Sequence, residues 1–432
     1  MTRHPLLALA LAGLGLSALS VQAAPANIEV MNQNQYLGFD LLNIAGGPGF
    51  DQSVIDGLKM RAASLPHERT VAMAKLISSR MPALVALEEA YEFTCYPTAE
   101  PNVGCNDPEI AGAFTDQLDD TLAALGGKYY RAAEVINFDL PRSIPQLAGL
   151  PGIPVNYKGQ QIFIGVLDRD LILARKDVAT APLPFKAFCA RPSEFSEGCN
   201  YAFVAEKELA ILGTTIVLKV ERGFVGVAAM VGGQPYKFIA THLETRLDSE
   251  SPYGRIYQSG QSAELLTYLQ GIASMPGRML VAGDFNSDPR DQPFTLPQPL
   301  IDQLLAAGVP SALIPYLGIP PYMQMAGTGF TDVWTLRPGA TTGKGAPLVG
   351  FSCCQDADLA NQKSILHERV DLIWSLTKPT KVQDARLLGE SISDKTKPIR
   401  FGVWPSDHAS VAAKLTFGKS GSRAALTPTL SR

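Results

Sequence analysis

Asp284 and Asn286 close an apolar run at residues 279–289 (MLVAGDFNSDP) and are well placed to do chemistry. Side chains alternate along a strand, so this carboxylate and amide share one face while Phe285 takes the other. Such a pair can orient a water and hold a phosphate oxygen. Asp, Asn, Ser, Asp and Pro in succession also suit a plain turn, so the rest of the chain has to decide. Other apolar runs end in the same manner. Asn43 closes residues 36–44 (YLGFDLLNI), Glu89 closes residues 82–90 (PALVALEEA), and His242 lies near the end of residues 236–244 (YKFIATHLE). Asp371 lies in residues 369–376 (RVDLIWSL), and Asp407 and His408 precede residues 409–417 (ASVAAKLTF). A buried carboxylate is costly unless it is paired or bound to a cation. Acids, amides and two imidazoles at successive strand ends therefore predict one site at a sheet edge. The oxygen donors point to Mg²⁺, with Mn²⁺ or Ca²⁺ as further options, rather than to zinc.

The elements that must carry these groups alternate along the chain. Strand-like runs at 161–175 and 214–231 join those above, and helical spacing marks 68–80, 107–125 and 262–272. No internal repeat or heptad run interrupts the pattern. The 432 residues are 46% hydrophobic and 18% charged, which is ample for a large globular core. The formal net charge of −4 offers no general basic surface, so any grip on a polyanion must be local. Arg222, Arg246, Arg255 and Lys219 lie near the His242 run and are candidates for such a rim.

Residues 1–23 read as a signal peptide, with an apolar stretch at 6–21 and a small–x–small cleavage pattern at Val21-Gln22-Ala23. The other reading is an uncleaved membrane anchor. No later stretch is apolar enough to span a bilayer, so the mature protein is expected to be secreted or periplasmic, without an obligate protein partner. Six cysteines agree with an oxidising compartment. Cys95/Cys105 and Cys189/Cys199 share one wide spacing in loop-like segments and read as two local disulfides. Cys353 and Cys354 are adjacent and could bridge each other, pair elsewhere or stay reduced. Residues 419–432 read as a flexible tail.

Seven motifs arrive in an order that resembles the endonuclease/exonuclease/phosphatase superfamily, which includes deoxyribonuclease I, bacterial sphingomyelinases and inositol-phosphate phosphatases. They are LNIAG at Leu42, ALEEA at Glu89, THLE at His242, GDFN at Asp284, TDVW at Asp332, RVDLIW at Asp371 and SDHASV at Asp407. Together they run from about residue 42 to 414, within a domain of residues 24–418. The resemblance implies an α/β (α+β) fold, a four-layer αββα sandwich with two central mixed β-sheets flanked by helices. It implies metal-dependent phosphoester hydrolysis, with Glu89 as main metal ligand helped by Asn43 and Asp407. It further implies that Asp284 and Asn286 orient water and phosphoryl oxygens, and that His408, steadied by Asp371, is the general base. His242 resembles the second histidine, which stabilises phosphoryl charge or protonates the leaving group. Glu88 is expected on the opposite side of its strand, and Asp332 in a structural role. Asp170 and Arg175 fit a strand that supports the site.

The substrate implied is a phosphodiester, either nucleic acid or a phospholipid headgroup. The alternatives are a phosphomonoester such as an inositol phosphate, and an inactive binding module. Residues 294–325 form an apolar insertion after GDFN that reads as a helical subdomain or as a surface for lipid. Residues 352–355 (SCCQ) have no mechanism attached to them at this level.

Overall fold

The computed structural model describes residues 26–39, 44, 47–211, 214–246, 252–339, 350–396 and 402–418. Asn43, the signal at 1–23 and the tail at 419–432 lie outside the described residues. The chain opens with β1 (Ala26–Asn34), α1 (Phe50–Ala63), α2 (Pro66–Arg80), β2 (Leu84–Glu88) and β3 (Glu92–Pro97). Next come α3 (Gln117–Ala124), β4 (Tyr129–Leu140), β5 (Ile153–Tyr157), β6 (Gln160–Arg175), β7 (Ala179–Pro182) and β8 (Cys199–Asn200). A hairpin of β9 (Ala205–Ile211) and β10 (Thr214–Val220) precedes β11 (Gly223–Val231), β12 (Gln234–His242), α4 (Pro252–Gly271) and β13 (Arg278–Asp284). The chain closes with α5 (Gln298–Ala306), α6 (Pro321–Gly327), β14 (Thr331–Asp332), β15 (Asp371–Ser375), β16 (Lys381–Leu388) and β17 (Ser410–Phe417).

Two mixed sheets result. The first runs β16-β17-β1-β2-β6-β3, with β4 and β5 also on β6, and its parallel pair is β1–β2. The second runs β14-β15-β13-β12-β11-β7, with β8 on β11, and its parallel pair is β12–β13. Period-two alternation sets the layers. Leu84 and Ala86 of β2 and Leu280 and Ala282 of β13 meet in one core between the sheets. Val85 and Leu87 turn outward onto α2 and α3. Met279 and Val281 turn outward onto α4. The order is helix, sheet, sheet, helix, the four-layer sandwich expected from the sequence.

Two expected elements differ. Of residues 36–44, the described ones, Tyr36–Phe39 and Ile44, are in irregular backbone, and the strand nearby is β1, whose sequence ANIEVMNQN carries few apolar side chains. β1 lies between β2 and β17, and neighbours on both edges and both faces stabilise it despite that composition. The helix expected over 107–125 is confined to α3, where Asp116 caps the amides of Leu118 and Asp119.

Gly283 shows why the GDFN turn is specified. A Cβ there would collide with the Thr241 carbonyl oxygen on the neighbouring strand β12. Gly283→Ala is expected to destabilise the protein by about 2 kcal/mol or more, read as a lowered Tm. An unchanged Tm would show that the two strands can separate freely.

Cys95 bridges Cys105, Cys189 bridges Cys199, and the adjacent Cys353 and Cys354 bridge each other. Residues 294–325 fold as α5, a short 3₁₀ turn and most of α6, with Leu300 and Leu317 gathered against Ile256 of α4. No described helix is long and apolar enough to cross a membrane.

Candidate active site

The seam between the sheets changes character along its length. On β12, Phe238 and Ala240 enter the apolar core, and two residues further the same face presents His242. On β13 the series Leu280, Ala282 continues to Asp284; on β15, Ile373 leads back to Asp371. On β6, Ala174 and Ile172 lead back to Asp170 and Asp168; on β1, Ile28 and Val30 lead on to Asn32 and Asn34. Alternation thus delivers seven polar side chains to one end of the seam. Register brings them side by side, since His242 sits opposite Asp284, and Asp284 opposite Asp371.

The closest contact is a dyad. His408 Nδ1 lies 2.7 Å from Asp371 Oδ2. A carboxylate accepts only, so Nδ1 carries a proton, and in the neutral ring Nε2 is left as an acceptor. Asn32 Nδ2 donates to the other Asp371 oxygen at 3.0 Å. Ser352 anchors both halves of the dyad: its Oγ accepts from the Asp371 amide at 3.0 Å, and its carbonyl accepts from the Ala409 amide at 2.7 Å. The SCCQ segment therefore acts as a brace. His408 Nε2 points toward Asp284 Oδ2, 3.7 Å away. Burial opposes a charged imidazole there, but Asp371, Asp407 and Asp284 together hold the His408 pKa well above the ordinary value.

Asp284 is the hub. Its Oδ1 accepts from the Asn286 amide at 2.8 Å, and its Oδ2 accepts from Asn34 Nδ2 at 3.2 Å. Asn34 Nδ2 also reaches Glu89 Oε1 at 3.2 Å, and the Leu37 amide donates to Glu89 Oε2 at 2.7 Å. Glu89 and Asn286 both hold left-handed backbone, with φ of 56° and 48°. For Asn that costs little; for Glu it is uncommon and is typical of functional positions. It turns Glu89 out of the β2 line and into the mouth of the seam.

The other side of the site is built around His242. Its Nδ1 lies 3.1 Å from Arg222 Nη1 and 3.8 Å from Asp170 Oδ1. Its Nε2 lies 3.3 Å from Asn286 Nδ2 and 3.6 Å from Asp284 Oδ2. Asn137 Nδ2 donates to Asp170 at 2.7 Å.

The structure thus gathers Glu89, His242, Asp284, Asn286, Asp371, Asp407 and His408. Asn34 stands between Glu89 and Asp284. Asn32, Asn137, Asp168 and Arg222 complete the site and were not foreseen there. Period-two extension of the strands would have found Asn32 and Asp168. Glu88 does lie on the alternate face, but that face is the interior of the seam: it is fully buried, and its carboxyl is raised well above the ordinary value by burial and by Asp170, Asp371 and Asp284. Arg175 is remote, bonded to Asp177. Asp332 is structural, capping the Trp334 amide and accepting from Arg369 and Tyr322.

The expected basic rim does not form. Arg222 is buried, Arg246 is bound to Asp291 and Glu368, and Lys219 faces Glu206. Arg255 lies over the Phe294 ring.

The donors suit a hard divalent cation. Glu89 and Asp407 offer carboxylate oxygens at the half-buried mouth. The Asp407 carboxyl is pushed up to about 6 by its dry surroundings, with the charges of Glu89 and Asp371 adding to the effect. The Asp284 carboxyl is raised for the same reasons, burial first and then Asp371 and Glu89. A divalent cation among these oxygens would offset both causes. Donor atoms of Asp284, Asp371 and His408 also lie within 4.8 Å of one another, a proximity the dyad itself accounts for.

No protein-family profile and no curated protein matches the sequence. Solved structures of endonuclease/exonuclease/phosphatase proteins are similar to the chain. One from Bacteroides thetaiotaomicron is 14% identical, covering 92% of this chain and 100% of its own, with a TM-score of 0.45. One from Beutenbergia cavernae is 16% identical, covering 91% and 72%, with a TM-score of 0.43. A mannosyl-6-phosphatase from Bacteroides thetaiotaomicron is 14% identical, covering 90% and 100%, with a TM-score of 0.42.

Proposed function

We propose that this protein is an exported, divalent-metal-dependent phosphoesterase that hydrolyses a phosphodiester by in-line attack of water. The observation that carries this reading is the pair of oppositely anchored histidines on either side of Asp284, at the polar end of the seam. In the neutral ring His408 Nε2 is an acceptor that faces Asp284, so it takes the proton of a water placed against that carboxylate. Asp371 keeps His408 in the tautomer that leaves Nε2 free. Asn286 Nδ2 and His242 approach from the far side, where the phosphoryl oxygens would lie. Glu89 and Asp407, with Asn34 beside them, would hold the cation, which when bound neutralises charge growing on the phosphoryl group.

The neutralised rim favours a compact substrate over a long nucleic acid. Nucleic-acid binding draws its affinity from several unpaired Lys or Arg side chains on phosphates. Arg246 and Lys219 already face carboxylates, and Arg255 is spent on Phe294 and the Gln292 carbonyl. A phospholipid headgroup or another small diester needs only the seam. Purified mature protein is expected to cleave sphingomyelin or a soluble bis-aryl phosphodiester in Mg²⁺, at least tenfold faster per phosphoester than plasmid DNA. Preferred cleavage of plasmid DNA would sink the compact-substrate reading, and preferred release of phosphate from monoesters would replace the diester by a monoester.

A further inference from the structure

An imidazole that is neutral carries one N–H and one bare nitrogen, and its neighbours decide which is which. His242 has a nitrogen donor near each ring nitrogen, Arg222 Nη1 at 3.1 Å from Nδ1 and Asn286 Nδ2 at 3.3 Å from Nε2. Both cannot be donating to the same neutral ring. A guanidinium has no acceptor, so the Arg222 contact requires a bare Nδ1. Asn286 has an alternative, since its Nδ2 donates to the Leu243 carbonyl at 2.9 Å. The tighter and chemically rigid contact prevails, and the proton falls on Nε2. That N–H faces the centre of the site, toward Asp284.

Arg222 is well placed to impose this. It is nearly buried, in the turn between β10 and β11, and its Nη2 lies 3.5 Å from Glu244 Oε1. Its charge is further favoured by the nearby Asp168 and Glu89. The competing partner of Nδ1 is Asp170 on β6, at 3.8 Å and already bonded to Asn137. Arg222 and His408 also oppose a positive charge on His242, adding to the effect of burial.

We infer that Arg222 is a positioning residue that fixes His242 as the neutral Nε2–H tautomer, so that His242 donates a hydrogen bond to a phosphoryl oxygen rather than releasing a proton to the leaving group. The two histidines are then set in opposite senses. Asp371 leaves His408 bare at Nε2, whereas Arg222 leaves His242 protonated at Nε2. A site of this kind gives its leaving group no proton from His242, so an aryl oxide departs unaided and an alkoxide must take its proton from water.

Two experiments test this. The kinetic one rests on the phosphoesterase reading; the spectroscopic one does not. Long-range ¹H–¹⁵N spectra of ¹⁵N-histidine-labelled protein, assigned by loss of signals in His242→Gln, should show His242 with a protonated Nε2 and a bare Nδ1. Arg222→Met should abolish that pattern, and Arg222→Lys should restore it. In kinetics, Arg222→Met should lower kcat about 10- to 100-fold, the usual effect of removing a group that orients a functional histidine, with KM changed far less. In the His242→Gln background the same change should cost under about threefold, because the two act as one unit. An Nδ1–H or doubly protonated His242 in the wild-type protein would overturn the proposal. So would an Arg222 effect of equal size in both backgrounds. If Arg222→Met does not fold, the wild-type spectrum and the Arg222→Lys variant decide alone.

Discussion

Asp371→Asn should lower kcat on a phosphodiester by about 10³- to 10⁴-fold, the loss seen when a carboxylate that sets a catalytic histidine's tautomer becomes an amide. Both Asp371 oxygens accept, one from His408 Nδ1 at 2.7 Å and one from Asn32 Nδ2 at 3.0 Å. An asparagine can satisfy only one of them. If its oxygen faces His408, its amide nitrogen confronts the Asn32 nitrogen, donor against donor. If it turns over, it donates to His408 Nδ1 and drives the proton to Nε2, where the water must be deprotonated. The first keeps the tautomer but loses the negative charge that supports a protonated His408, and the second disables the base; neither removes side-chain volume. Substrate binding should be little affected, so the loss belongs in kcat. Turnover within tenfold of wild type would mean that His408 is not the base.

Asp284→Ala should cost a comparable factor, on the order of 10³ or more in kcat, because it removes a preorganised charge from the centre of the site. The carboxylate faces Nε2 of both histidines, at 3.6 and 3.7 Å, and is bonded to Asn34. It also holds the Asn286 amide at 2.8 Å, and with it the left-handed turn that aims Asn286 at His242. Stability should change little, since removing a buried acid whose charge is opposed by its surroundings offsets the loss of its bonds from Asn34 and Asn286. A variant that folds, melts no lower and retains near-normal kcat would remove Asp284 from the mechanism.

The positions of these groups were legible because strand periodicity does not depend on knowing the partner strand. A run such as Leu280, Ala282, Asp284 declares its own inward face. Asn32 and Asn34 are hidden for the opposite reason. β1 is read poorly from sequence because Asn32, Gln33 and Asn34 are fully buried yet polar, bonded to Asp371, Ser410 and Asp284 across more than two hundred residues. The more apolar run just downstream then resembles the strand instead. Glu88 was assigned away from the site because alternation fixes opposite faces but not which face is the seam. Arg222 reads as a surface cation in sequence because its partners His242 and Glu244 come from the end of β12 and the loop beyond it. Arg69 was equally hidden: placed on the core side of α2, it bonds the carbonyls of Gln35, Tyr36 and Pro405 and ties the Glu89 mouth to the His408 loop.

On the proposed reading, water attacks a phosphoester at this seam with a divalent cation held by Glu89. Initial rates on a soluble bis-aryl phosphodiester test it, measured on wild-type protein as purified, after chelation, and after return of Mg²⁺, beside Glu89→Gln. Hydrolysis should disappear on chelation, return with Mg²⁺ or Mn²⁺, and fall by orders of magnitude in Glu89→Gln at the same Mg²⁺ concentration. Hydrolysis untouched by chelation, or a Glu89→Gln variant as fast as wild type, would contradict it.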